Sequence, residues 1–157
     1  MRKRLIERLP EDVANDDHHW LDLARIASVE VTSEDESHPI ESALLTETEG
    51  GWRAASSGEQ VIRLLFDEPQ RIKLIKLLFV ECEKARTQQY VLRWACNEGL
   101  PYQQILCQQY NFSPPDTVRE SEFHTVDLES VRALELSIVP DISGGDMCAS
   151  LACLRLA

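Results

Sequence analysis

Gln60-Val61-Ile62-Arg63-Leu64-Leu65-Phe66 runs into Asp67-Glu68-Pro69-Gln70, and then into Arg71-Ile72-Lys73-Leu74-Ile75-Lys76-Leu77-Leu78-Phe79-Val80. In the first run Ile62, Leu64 and Phe66 alternate with Val61, Arg63 and Leu65. A period of two places the first set on one face of a strand. The third run, Arg71 to Val80, is nearly continuous in apolar residues, which suits a central strand. The four residues between them carry Asp, Glu and Pro and read as a tight turn. Two strands in such close succession point to a β protein.

The pattern extends in both directions. Arg25 to Thr32 is a candidate first strand, with Ile26, Val29 and Val31 apolar and β-branched. Downstream, Thr87 to Cys96 places Tyr90, Leu92, Trp94 and Cys96 on one face, and Asn97 to Pro101 is a turn cluster. Tyr102 to Tyr110, Glu122 to Leu128, Val131 to Val139 and Ala149 to Leu156 complete the set. These strands are separated by a loop containing Pro114-Pro115, by Glu129-Ser130, and by the Pro140 to Asp146 loop. Eight strands with no helical stretch after residue 24 predict an all-β, antiparallel, two-sheet jelly-roll sandwich over residues 25–157. Residues 1–24 differ from the rest. A basic start is followed by acidic residues from Glu11, then by His18, His19, Trp20, Leu21 and Leu23. This segment reads as an arm or short helix that lies on the domain through Trp20 and Leu23.

Three segments, in order, resemble the opening of discoidin domains, also called coagulation-factor C-type or galactose-binding-like domains. They are His38 to Leu45, Gly51 to Ala55, and Val61 to Pro69. Ala149-Ser150-Leu151-Ala152-Cys153-Leu154-Arg155-Leu156 is similar to the final strand of that family. The resemblance covers residues 25–157. It implies a jelly roll that binds ligands without catalysis; known members bind sugars, lipid head groups or proteins. Two departures stand out. The calcium loop of the family corresponds here to Thr46-Glu47-Thr48-Glu49-Gly50. The final-strand Glu that helps hold calcium in sugar-binding members is Cys153. A hard cation wants several oxygens, and a thiol serves it poorly. The expectation is therefore that no calcium, other metal or cofactor is bound.

Bulk composition narrows the partners. The formal net charge of −11, from 27 acidic and 16 basic residues, disfavours phosphate backbones and anionic membrane surfaces. No run approaches the roughly 18 apolar residues of a membrane helix. The basic N-terminus lacks an apolar core of the signal-peptide kind, so a cytoplasmic location is expected. Cys82, Cys96, Cys107, Cys148 and Cys153 are odd in number and have no Cys-x-x-Cys spacing, which predicts reduced thiols.

No residue pattern marks a catalytic site. His18 and His19 read as a solvated polar segment, and His124 has no nearby nucleophile partner in sequence. Ser143-Gly144-Gly145-Asp146 lacks the Lys of a phosphate loop. The expected ligand residues lie in the long connections. If the chain reverses at each connection, the long ones gather at one end: 33–59, 81–86, 111–121 and 140–148. The short ones, 67–70, 97–101 and 129–130, gather at the other. On the long-loop end Arg53, Arg86 and Arg119 can donate paired hydrogen bonds. Trp52 and Phe112 can offer an apolar face to a sugar ring, and His38 and Asn111 can add polar contacts. Two functions stay open: a non-catalytic module with carbohydrate as the leading ligand class, or a structural domain that mediates protein–protein assembly.

Overall fold

The structure, a computed structural model, describes residues 19–97 and 101–157. The basic N-terminus, the acidic segment from Glu11, His18 and the centre of the Asn97–Pro101 turn lie outside the described residues. The strands are β1 (Ala27–Val31), β2 (Trp52–Ser57), β3 (Gln60–Val80), β4 (Arg86–Ala95), β5 (Gln103–Phe112), β6 (Arg119–Val139), β7 (Cys148–Leu151) and β8 (Cys153–Leu156). Two single-turn helices, α1 (Leu23–Ile26) and α2 (Glu41–Leu44), accompany them. All pairings are antiparallel.

The expected all-β antiparallel sandwich is present, but its strands are divided differently. Asp67–Gln70 is not a reversal, and neither is Glu129–Ser130. β3 and β6 run through these positions and pair along their whole lengths, from Gln60 opposite Ile138 to Val80 opposite Arg119. The register slips between Leu65 and Leu74. Burial records the same slip. Ile62, Leu64, Phe66 and Ile72 are buried at even positions, then Ile75, Leu77 and Phe79 at odd ones. A β-bulge bends a strand in this way and tolerates Pro69, which cannot donate to a ladder. The predicted count of eight was reached by compensation. Two pairs of predicted strands fuse, β2 was not predicted, and the last predicted strand divides at Ala152. α2 also contradicts the expectation of no helix after residue 24.

The two long bent strands serve both layers. One layer follows the order β1-β3-β6-β4-β5, with β4 on the second half of β6, Ala133 to Val139. In the other, β8 pairs the second half of β3 at Ile75 to Leu78, and β2 pairs β7 beside it. The layers meet where Phe79 of β3 stacks on Tyr90 of β4, with ring centroids 5.2 Å apart. Ile62, Leu92, Leu134, Leu136 and Ile138 are among the other residues of the core. At the N-terminal side Leu23 is buried, and the Leu21 amide donates to the Leu156 carbonyl at 2.8 Å. Gly51 has φ +68°, and a Cβ there would stand 2.7 Å from the Leu151 carbonyl oxygen. Only glycine lets β2 enter so close to β7.

Candidate functional site

Register decides which loops meet. Val80 opposite Arg119 puts the end of β3 beside the start of β6. Gln89 opposite Val139 puts the end of β6 beside the start of β4. The 81–85, 113–118 and 140–147 loops therefore leave the sandwich at one end. The alternation of long and short connections expected from sequence does not produce this, since two of its three short connections are mid-strand bulges; the β3–β6 pairing does. The segment before β2 joins the cluster through the backbone. The Asp35 amide donates to the Arg53 carbonyl at 2.8 Å, and the Arg53 amide donates to the His38 carbonyl at 3.2 Å. The Gly58 amide reaches the Met147 carbonyl at 3.2 Å.

These elements enclose a cleft of about 360 Å³. Its lining includes His38, Trp52, Arg53, Glu83, Lys84 and Asp146. Its floor is Arg86, whose side chain is buried. The Arg86 Nε donates to Glu81 Oε1 at 2.9 Å, and Nη1 donates to the Pro140 carbonyl at 2.8 Å and to Gln88 Oε1 at 3.1 Å. Its guanidinium also lies 4.9 Å above the Phe112 ring centroid. Arg86 thus fastens β4 to both the 81–85 and the 140–147 loops. Arg53, Glu83, Lys84 and Asp146 form no ion pair among the described residues. His38 Nδ1 is buried without a hydrogen-bond partner.

The sequence-predicted residues divide into three groups. His38, Trp52, Arg53 and Arg86 come together at the cleft. Asn111 and Arg119 are exposed but do not line it, and Asn111 Oδ1 accepts from Thr87 Oγ at 2.6 Å. The aromatic platform is corrected. Trp52 is 1% exposed and Phe112 2%, so neither ring offers a face to a ligand. The Trp52 Nε1 is spent on the Ser33 carbonyl at 3.1 Å, and Phe112 is covered by Arg86. Sequence reasoning missed Glu83, Lys84 and Asp146. Their loops were recognisable, but the candidates chosen in them were arginines, aromatics, His38 and Asn111, with no carboxylate and no Lys.

Beneath the cleft a polar seam enters the sandwich. Gln88 Nε2 donates to Glu120 Oε2 at 3.4 Å, while Glu120 Oε1 is buried with no partner. Burial, and then the neighbouring Glu122 charge, push the Glu120 carboxyl up to about 7. Tyr90 Oη meets His124 Nε2 at 2.8 Å. Burial raises the Tyr90 hydroxyl and lowers the His124 imidazole, so both are neutral at pH 7.

No family model matches the chain, and no curated protein matches it. Solved structures do. A pectin-binding carbohydrate-binding module superposes with a TM-score of 0.60 at 18% identity, covering 84% of this chain and 90% of that one. The family 32 carbohydrate-binding module of C. perfringens NanJ, in complex with galactose, gives 0.63 at 12% identity over 87% and 96% of the two chains. This is the galactose-binding-like, discoidin-type fold. Part of a Ruminococcus gnavus GH29 fucosidase in complex with fucose has a similar fold. Its TM-score is 0.61 at 11% identity, and the match covers 87% of this chain but 26% of the longer one.

Members of this fold family often hold calcium in the loop that corresponds here to Thr46–Gly50. The residues present do not fit the ion. The carbonyls of Ala43 and Leu45, which lead into that loop, accept from the Arg155 guanidinium at 2.8 and 3.1 Å. Cys153 presents a free, half-buried thiol where the carboxylate would stand. No cluster of three His, Cys, Asp or Glu suited to a metal occurs among the described residues. Ala152 also breaks the strand phase: Leu151, Leu154 and Leu156 are buried, so Cys153 shares its face with Arg155 but not with Leu151.

Proposed function

We propose that this chain is a non-catalytic carbohydrate-binding module whose sugar sits in the loop-end cleft. The observation that carries the reading is the pairing of free donors and free acceptors in one cleft. Each sugar hydroxyl both donates and accepts. Arg53 and Lys84 supply donors, Glu83 and Asp146 supply acceptors, and none is already committed to an ion pair. Solved neighbours of the same fold include a pectin-binding module and a module in complex with galactose, which supports the reading. The cleft volume lies near the lower end for small-ligand sites and suits one or two sugar units. Without an exposed aromatic platform, binding rests on hydrogen bonds.

A binding role fits better than an enzymatic one. A general acid at neutral pH needs a raised carboxyl beside the reacting bond. The carboxyl that burial raises here, Glu120, does not line the cleft. Glu81, at the cleft floor, is held by Arg86. Isothermal titration with saccharides related to those of the neighbours tests the proposal. Arg53→Ala and Lys84→Ala each remove a charged donor worth about 1.5–3 kcal/mol, so each is expected to weaken binding roughly ten- to a hundredfold. Unchanged affinity in both variants would overturn the site.

A further inference from the structure

From Gly99 to Pro115 the chain carries no charged residue, although all 16 basic and 27 acidic residues are spread over the remainder. The next longest uncharged run is the eight residues from Met147 to Leu154. The long run contains the whole of β5, which is an edge strand. Among the described residues β5 pairs only with β4. One row of its backbone N–H and C=O groups therefore faces away from β4 along the strand, with the Asn111 carbonyl alone, among the described residues, already accepting from Thr117 Oγ1 at 3.0 Å.

The opposite edge is built differently. β1 is five residues long and carries Glu30 exposed. Short length and charge are the usual protections of a sheet edge. β5 has neither, and it has no Pro within it. Its side chains also remain incompletely covered. Ile105, Leu106 and Tyr110 pack against the core but are only half-buried, while Gln103, Gln104, Cys107 and Gln109 are exposed.

We propose that β5 is an assembly edge whose partner is β5 of a second copy of this chain, paired antiparallel about a two-fold axis. Three observations select this occupant. An antiparallel pair of identical strands is self-complementary, so each edge satisfies the other's backbone groups. Two copies of net charge −11 repel each other overall, and this is the longest stretch of the sequence free of charge. With Cys107 on the axis, the half-buried Leu106 and Tyr110 would lie against the partner strand, opposite its Gln108 and Gln104, and lose exposure there. Cys107 lies near the centre of the strand, close to the axis. The proposal does not depend on the sugar reading, because no β5 residue lines the cleft.

Sedimentation velocity over a concentration series, under reducing conditions, tests it. A concentration-dependent dimer is expected that strengthens with added salt as the mutual repulsion is screened. Cys107→Lys lowers the net negative charge yet sets two cations face to face across the axis. It should weaken the dimer roughly tenfold or more, as like charges opposed in an interface do. Ser28→Lys on β1 should leave the dimer intact, and circular dichroism should show both variants folded. A wild-type chain that stays monomeric throughout the series overturns the proposal. So does a dimer that Cys107→Lys leaves unchanged, or one that Ser28→Lys disrupts equally.

Discussion

The inner face of β4 changes character along its length. At the loop end it presents Arg86 and Gln88, both buried, with Glu120 across the interior. Four residues further on it presents Leu92, packed with Leu134 and Leu136. Both halves belong to one sandwich and have similar burial. Apolar residues would fill the polar half with less desolvation, since buried charges must be matched by partners. The polar half lies directly beneath the cleft, and its chief contact, Arg86, holds the 81–85 and 140–147 loops in place. The difference suggests that the loop end is organised for a site, and the far end for cohesion.

The largest expected effect breaks the polar half. Arg86→Ala strips the partner from Glu81 and the cover from Phe112, and should cost about 3–5 kcal/mol in urea unfolding, as loss of one member of a buried ion pair does. Leu92→Ala in the apolar half should cost about 2–5 kcal/mol. The two separate in the cleft: Arg86→Ala should loosen the 81–85 loop and reduce ligand affinity, whereas Leu92→Ala should leave affinity unchanged. Equal effects on affinity would erase the distinction between the halves.

Glu120 sharpens the comparison through pH. Its folded value, about 7, lies above the ordinary carboxyl value of 4.5. The folded chain therefore holds a proton that the unfolded chain releases. The stability from this group is fully present below pH 4.5 and is lost as pH rises through about 7. His124, held low by burial, acts in the opposite sense below pH 6.5. The remaining groups of the seam, Arg86, Tyr90 and Glu122, are common to both proteins in the test. Glu120→Gln removes only the first contribution. It should be more stable than wild type at pH 8, by up to about 3 kcal/mol, and the gap should narrow at pH 5. A gap independent of pH would show that Glu120 is not raised.

A smaller effect is expected away from the seam. Arg155→Ala frees the Ala43 and Leu45 carbonyls and should cost about 1–3 kcal/mol. Millimolar calcium should leave the melting temperature of the wild type unchanged. A clear rise with calcium would show that Glu47 and Glu49 rebuild the ion site without the lost carboxylate.

The fold was readable in the sequence where alternation and turn chemistry agreed, as in β4, and in the ordered segments that resemble discoidin domains. It was misread at Asp67–Gln70 and Glu129–Ser130 because polar and Pro residues mark a bulge as readily as a turn. The buried set moves from even to odd positions between Ile72 and Ile75, not at Asp67–Gln70 where a four-residue hairpin turn would move it, and the nearly continuous apolar run hides that change from the sequence. β2 was missed because Trp52-Arg53-Ala54-Ala55-Ser56-Ser57 has weak β character and is held by Gly51 and the β7 pairing. Of the candidate site, His38, Arg53 and Arg86 were legible as polar residues in long loops. Trp52 and Phe112 were misassigned because composition does not tell which side of a sheet end a ring enters. Glu83, Lys84 and Asp146 become significant only through convergence of loops distant in sequence.

The most direct test of the cleft as a sugar site is a ¹H–¹⁵N correlation titration with galactose, fucose and pectin fragments. Binding at the cleft predicts saturable shifts confined to His38, Gly50 to Arg53, Glu81 to Lys84 and Asp146 to Ser150. Saturable shifts centred on another surface, or no saturable shift with any of these saccharides, would contradict it.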